Sequence, residues 1–115
     1  MKKLAMILFA AAAISAFAAD TTVKGYLVDL SCAREDGSKP DFGAKHTTDC
    51  LKMDECAKSG YGVLTDDKKI VMFDAAGNAQ ARKFLGTLTK KSDIKVTVTG
   101  ARNGDNMTVS KIELQ

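Results

Sequence analysis

Tryptophan is absent, histidine and proline occur once each, and the aromatics are two tyrosines and five phenylalanines. That is too few for the stacking platforms of single-strand nucleic-acid binders. A strong excess of either charge is also missing, with 17 Lys and Arg against 14 Asp and Glu in 115 residues. Nucleic acid is therefore not an expected partner, because binding it takes a concentrated basic surface that displaces counterions. Only three cysteines are present, an odd number. They form no C-x-x-C pair, which speaks against a thioredoxin-like oxidoreductase. Neither C-x-x-C nor H-x-x-H spacing announces a zinc finger. Repeats and low-complexity segments are missing beyond the N-terminus, and the length allows a single domain.

One apolar run stands out. Lys2 and Lys3 precede the uncharged stretch Leu4–Ile14, and Ala16-Phe17-Ala18 follows. A short positive start, an apolar centre and small residues at −3 and −1 form a secretory signal. The run is barely long enough to cross ~30 Å of hydrocarbon and lacks a basic stop-transfer flank. Cleavage is expected after Ala18, with Ala19 as the alternative. Residues 1–18 are thus read as signal peptide and 19–115 as one domain, periplasmic or secreted, with no transmembrane anchor after cleavage. Losing the two lysines leaves fifteen basic against fourteen acidic side chains. All three cysteines then meet an oxidising compartment.

The mature chain reads as five strands and two helices. Val23–Leu30 is a first strand whose apolar parity slips at Gly25, the mark of a bulge or tight bend. Cys32–Lys45, with Gly37, Pro40 and Gly43, reads as loop. Thr47 or Thr48 caps a helix running to about Lys58, and Gly60 stops it. Gly62–Thr65 and Lys69–Phe73 form a hairpin around Asp66-Asp67-Lys68. Asn78 can cap a second helix, in which Ala81, Phe84, Leu85 and Leu88 share a face. Ile94, Val96 and Val98 alternate with polar residues in a fourth strand. Asn103-Gly104 suits a type I′ turn. A bulge near Ser110 or Lys111 reconciles Met107 and Val109 with Ile112 and Leu114. Tyr26, Tyr61, Phe73 and Phe84 are expected in the core. This order matches a mainly β, five-stranded OB-like barrel, with one helix in the loop after strand 1 and one between strands 3 and 4. An open α+β sheet is the alternative.

The histidine and the cysteines cluster in Asp29-Leu30-Ser31-Cys32, His46-Thr47-Thr48-Asp49-Cys50, Met53, Cys56 and Gly60-Tyr61-Gly62. This D-x-x-C, His, Cys, Cys, G-Y pattern resembles a group of small exported bacterial proteins of unknown function. The resemblance implies an OB-like fold in the envelope and no known activity.

Spacing constrains the thiols. On a continuous helix, Cys50 and Cys56 lie ~9 Å apart along the axis, and a disulfide needs Cα atoms within about 7 Å. Any bridge then uses Cys32. Strand 1 ends near Cys32 and strand 2 starts just after Cys56, so Cys32–Cys56 is the expected pair and Cys32–Cys50 the alternative. If the helix begins by His46, then His46, Cys50 and Met53 share a face and offer ligands for a soft metal ion or a haem iron, with Cys32 a further donor. The plainer roles are a small buried Cys, a Met filling the core and a capping His. Asp29 either binds loop amides near Cys32 or faces solvent. Three functional readings follow. The first is an exported, non-enzymatic OB-like module cross-linked once, binding a ligand or envelope protein that the sequence does not name. The second is an envelope metal or haem protein. The third is a thiol enzyme using Cys50 and His46, for which no orienting residue is readable.

Overall fold

The computed structural model describes residues 20–115. The expected signal peptide, residues 1–18, lies outside them. Among the described residues, no helix is long and apolar enough to cross a membrane.

Ten elements follow one another: β1 (Thr21–Asp29), α1 (Leu30–Asp36), α2 (Phe42–Lys45), α3 (Thr48–Lys52), α4 (Asp54–Ser59), β2 (Tyr61–Leu64), β3 (Ile70–Phe73), α5 (Ala75–Thr87), β4 (Lys95–Asn103) and β5 (Asn106–Leu114). They build a five-stranded mixed sheet with helices. Its order, β1-β2-β3-β5-β4, closes on itself. The closure depends on β1, which pairs antiparallel with β4 through its first half and with β2 through its second. The single parallel contact is the short one between β3 and β5.

Alternation explains the inside. Val23 and Leu27 of β1, Val63 of β2, Val71 and Phe73 of β3, Val96 and Val98 of β4, and Met107 and Val109 of β5 meet in one core. Helix α5 seals it with Ala81 and Leu85, with Phe84 and, just past the helix end, Leu88 at the margin. Each large apolar side chain so buried contributes about 1.5–3 kcal/mol.

Strand 1 has no parity slip. Val23, Gly25 and Leu27 face inward, while Tyr26 and Val28 belong to a second apolar cluster with Ala33, Phe42, Leu64 and Ile70. Both faces are covered, so the sequence alternates between two apolar surfaces rather than one. Gly25 marks where β1 passes from β4 to β2, and a Cβ there would run into the Leu64 carbonyl. The bulge expected near Ser110 is present. Thr99 pairs with Lys111 and Gly100 with Val109, leaving Ser110 as the extra residue.

Several sequence expectations are corrected. The stretch Cys32–Lys45 is not loop throughout, because α1 and α2 form within it. Asp29 caps α1 and the chain turns helical directly off the strand. The helix expected from Thr47 to Lys58 is broken at Met53, whose ψ of 141° is extended. Thr47 caps the first piece through the Cys50 N–H (3.1 Å), and the Met53 carbonyl accepts from Ala57 (2.8 Å) to start the second. Helix α5 starts one turn before Asn78, capped by Asp74 at the Gly77 N–H (2.8 Å). Asn78 instead accepts the Tyr61 N–H (2.8 Å) and ties α5 to β2. The last hairpin turns on Gly104-Asp105, with Asn103 paired to Asn106. Only Gly104 has a left-handed φ there, 65°, which is the II′ pattern rather than I′.

Candidate functional site

The site forms where β1 runs into α1. Asp29 is fully buried at that junction, and its carboxylate serves two elements at once. Oδ2 accepts the Cys32 N–H at 2.9 Å, an N-cap bond that fixes the first turn of α1. Oδ1 accepts from His46 Nε2 at 2.7 Å. Burial pushes the Asp29 carboxyl up, but the His46 hydrogen bond, the Cys32 N–H and the imidazole charge outweigh it and hold it below its ordinary value.

His46 is buried as well. It sits at the end of α2, where its N–H donates to the Phe42 carbonyl (2.9 Å) and its ring stacks on Phe42 with centroids 4.7 Å apart. Phe42 packs in turn on the outer apolar cluster of the sheet. The Asp29–His46 bond therefore pins the helical insert to the strand it covers.

Cys56 arrives from α4. That helix is stitched to α1 by Leu30 N–H to Gly60 O (2.9 Å) and Ser31 N–H to Ser59 Oγ (3.1 Å), and Ser59 O–H holds its own helix end by donating to Cys56 O (2.6 Å). The stitching brings the Cys32 and Cys56 sulfurs to 4.1 Å, outside bonding distance. With one Asp29 carboxylate oxygen they make a trio within 4.8 Å of one another. Asp29, Cys32 and Cys56 thus lie close enough to hold a metal ion. Burial and the neighbouring Asp29 charge push the Cys32 thiol up to about 12, and the same causes raise Cys56. Both are thiols, not thiolates, near neutral pH.

The site differs from the set His46, Cys50 and Met53. No helix carries these three on one face, because α2 ends at Lys45 and Met53 is extended between α3 and α4. His46 Nε2 is engaged by Asp29, and Met53 is 53% exposed. The break at Met53 also removes the continuous helix on which the ~9 Å separation of Cys50 and Cys56 rested. Cys50 is half-buried. Sequence reasoning placed Cys32 beside Cys56 and raised Asp29 as an amide acceptor. It missed the Asp29–His46 bond and the carboxylate as a partner of the thiols. The signal available was the D-x-x-C spacing itself, an N-cap acid with the thiol three residues on.

No family model matches the chain, and no curated protein or solved structure matches it significantly.

Proposed function

We propose that the protein is an exported, non-enzymatic binding module of the OB type, whose helical insert is closed by a Cys32–Cys56 disulfide between its first and last helices. The sheet order carries this reading. Strands 1, 2 and 3 are followed by a helix and a hairpin of strands 4 and 5, with β1 shared between β2 and β4 and β3 parallel to β5. That is the arrangement of a five-stranded Greek-key barrel. The N-terminal charge and apolar pattern support export, as does the resemblance to small exported proteins. Export supports the disulfide, since it supplies the oxidising compartment.

The raised Cys32 and Cys56 thiols speak against a fast-attacking catalytic dithiol at this pair. A dithiol whose thiolates are disfavoured attacks slowly near neutral pH. A structural cross-link needs no fast attack, whereas a thiol catalyst does. His46, with Nε2 on Asp29, is not arranged as a free base for Cys50.

Non-reducing peptide mapping of protein taken from the periplasm with its thiols alkylated tests the assignment. A Cys32–Cys56 peptide with alkylated Cys50, on a chain beginning at Ala19, is the expected result. A chain beginning at Met1, or a Cys32–Cys50 peptide, refutes it.

A second reading, an envelope metal protein, is favoured by one observation, the Asp29, Cys32 and Cys56 trio. It replaces the set His46, Cys50 and Met53. A soft metal ion and a haem iron are the two cofactors to be told apart.

A further inference from the structure

We infer that the dithiol form of the protein binds a zinc-class divalent cation through Cys32 Sγ, Cys56 Sγ and one oxygen of Asp29, with His46 as a positioning residue behind the carboxylate. The inference rests on the second reading above and names its metal.

The spacing fits. Two thiolates on one tetrahedral zinc, each at ~2.3 Å, stand roughly 3.8 Å apart. The observed sulfur separation is 4.1 Å. A disulfide needs about 2.05 Å. The sulfur pair is therefore nearer the edge of a metal tetrahedron than a covalent bridge, with the carboxylate oxygen within 4.8 Å of both. The carboxylate has capacity to spare, because each oxygen accepts one hydrogen bond and keeps a further lone pair.

The donor set selects the class of ion. Two thiolates and a carboxylate oxygen are common zinc ligands, whereas Cu(I) favours thiolate with thioether. The one thioether in this segment, Met53, points to solvent. Haem is disfavoured by space. Asp29 and Cys56 are buried, and among the described residues four surface cavities of about 230–320 Å³ are lined by other residues. Charge agrees as well. Two thiolates and a carboxylate carry three negative charges, of which a divalent cation offsets two. Binding releases two protons, one from each thiol, and changes no oxidation state. Three protein donors leave a fourth position, and Cys32, the more exposed thiol, marks the side from which water or another donor would fill it.

His46 supplies orientation. A hydrogen-bonded partner behind a ligating carboxylate typically matters 10–100-fold in affinity. The Asp29–His46 bond is already made at 2.7 Å, so the carboxylate is aimed before the ion arrives.

The test uses the mature chain, reduced and handled without oxygen, with Zn²⁺ alone, Co²⁺ as a spectroscopic reporter, and Cu(I) in parallel. One Zn²⁺ per chain is expected, with two protons released. Co²⁺ should give thiolate charge-transfer bands. Zn²⁺ should slow alkylation of Cys32 and Cys56 at least tenfold and leave Cys50 unchanged, a readout that needs no variant. Cys32→Ser and Cys56→Ser should lose at least a hundredfold in affinity with unchanged circular dichroism, and Cys50→Ser should lose nothing. His46→Gln should lose ten- to a hundredfold while the Co²⁺ bands persist. Stoichiometric Cu(I) binding without Zn²⁺ overturns the inference and leaves the metal reading standing. Folded dithiol protein that takes up neither ion overturns both. Protection of Cys50 in place of Cys32 or Cys56 overturns the site.

Discussion

Replacing Asp29 with Asn keeps the shape of the side chain and removes its charge and one acceptor. In the native protein the carboxylate accepts from two donors, the Cys32 N–H at 2.9 Å and His46 Nε2 at 2.7 Å. An amide has one oxygen and one NH₂, so at least one donor then faces a donor in a place without water. An unsatisfied buried donor costs ~1–3 kcal/mol, and a lost charge-assisted bond ~1.5–3 kcal/mol. These two figures describe overlapping losses, so the expected cost is about 2–4 kcal/mol rather than their sum. Domains of this size have roughly 5–15 kcal/mol in all. The effect is therefore large but leaves a folded protein.

The pH dependence gives the same experiment a sign. Asp29 is held below its ordinary value in the folded chain. The linked stability is present above the unfolded carboxyl pKa, near ~3.9, and is lost as pH falls through the lower folded value. Urea denaturation of reduced wild type and Asp29→Asn from pH 7 to pH 3 reads both. The gap in midpoint should be widest at pH 5–7 and shrink at the acid end, with equal m-values. A gap under about 0.5 kcal/mol at pH 7, the range of a neutral surface change, or one that stays constant to pH 3, would refute the account of Asp29.

Three further outcomes follow from particular contacts. In oxidised protein, Cys32→Ala and Cys56→Ala should each cost about 3.5 kcal/mol, the value for closing a ~25-residue loop; the double variant should cost little more, and denaturation without reductant checks this. Tyr61→Phe should lose ~1–3 kcal/mol in chemical denaturation, because its hydroxyl donates to the Leu51 carbonyl at 2.7 Å, an acceptor that otherwise goes unpaired inside the protein. Gly25→Ala should lower the melting temperature by more than an average surface change, since its Cβ meets the Leu64 backbone carbonyl, which cannot step aside.

How much of this was legible beforehand depends on the range of each interaction. Strands 2 to 5 and the bulge at Ser110 followed from parity and turn residues, which are local. Strand 1 was misread at Gly25 because a period-two pattern presumes one wet face, and here Tyr26 and Val28 are covered by the insert. The break at Met53 has no breaker residue. It is held by a tertiary bond, since the Leu51 carbonyl, which a continuous helix would pair with the Glu55 N–H, instead accepts the Tyr61 hydroxyl at 2.7 Å. A helix that gives its backbone groups to distant partners cannot be told from a continuous one by sequence alone. The site was half visible for the same reason. Cys32 and Cys56 were brought together by strand order, but the Asp29–His46 bond spans the insert, and nothing in the spacing fixes how the insert folds back.

That fold-back decides which surface is open to a ligand. OB-type modules bind across strands 2 and 3 and the neighbouring loops. In this chain the outer side of that sheet carries Tyr26, Val28, Leu64 and Ile70, and the insert lays Ala33 and Phe42 over them. Val28 is fully buried and Leu64 is 2% exposed. Lifting the insert would return several such side chains to water at about 1.5–3 kcal/mol each. It would also break the Asp29–His46 bond. The total approaches the whole stability of a small domain, so the insert is part of the core and not a lid. A ligand of the proposed module must then meet the insert itself or the faces it leaves bare. A link at Cys32 and Cys56, covalent or through a metal ion, secures the covering that sets this choice.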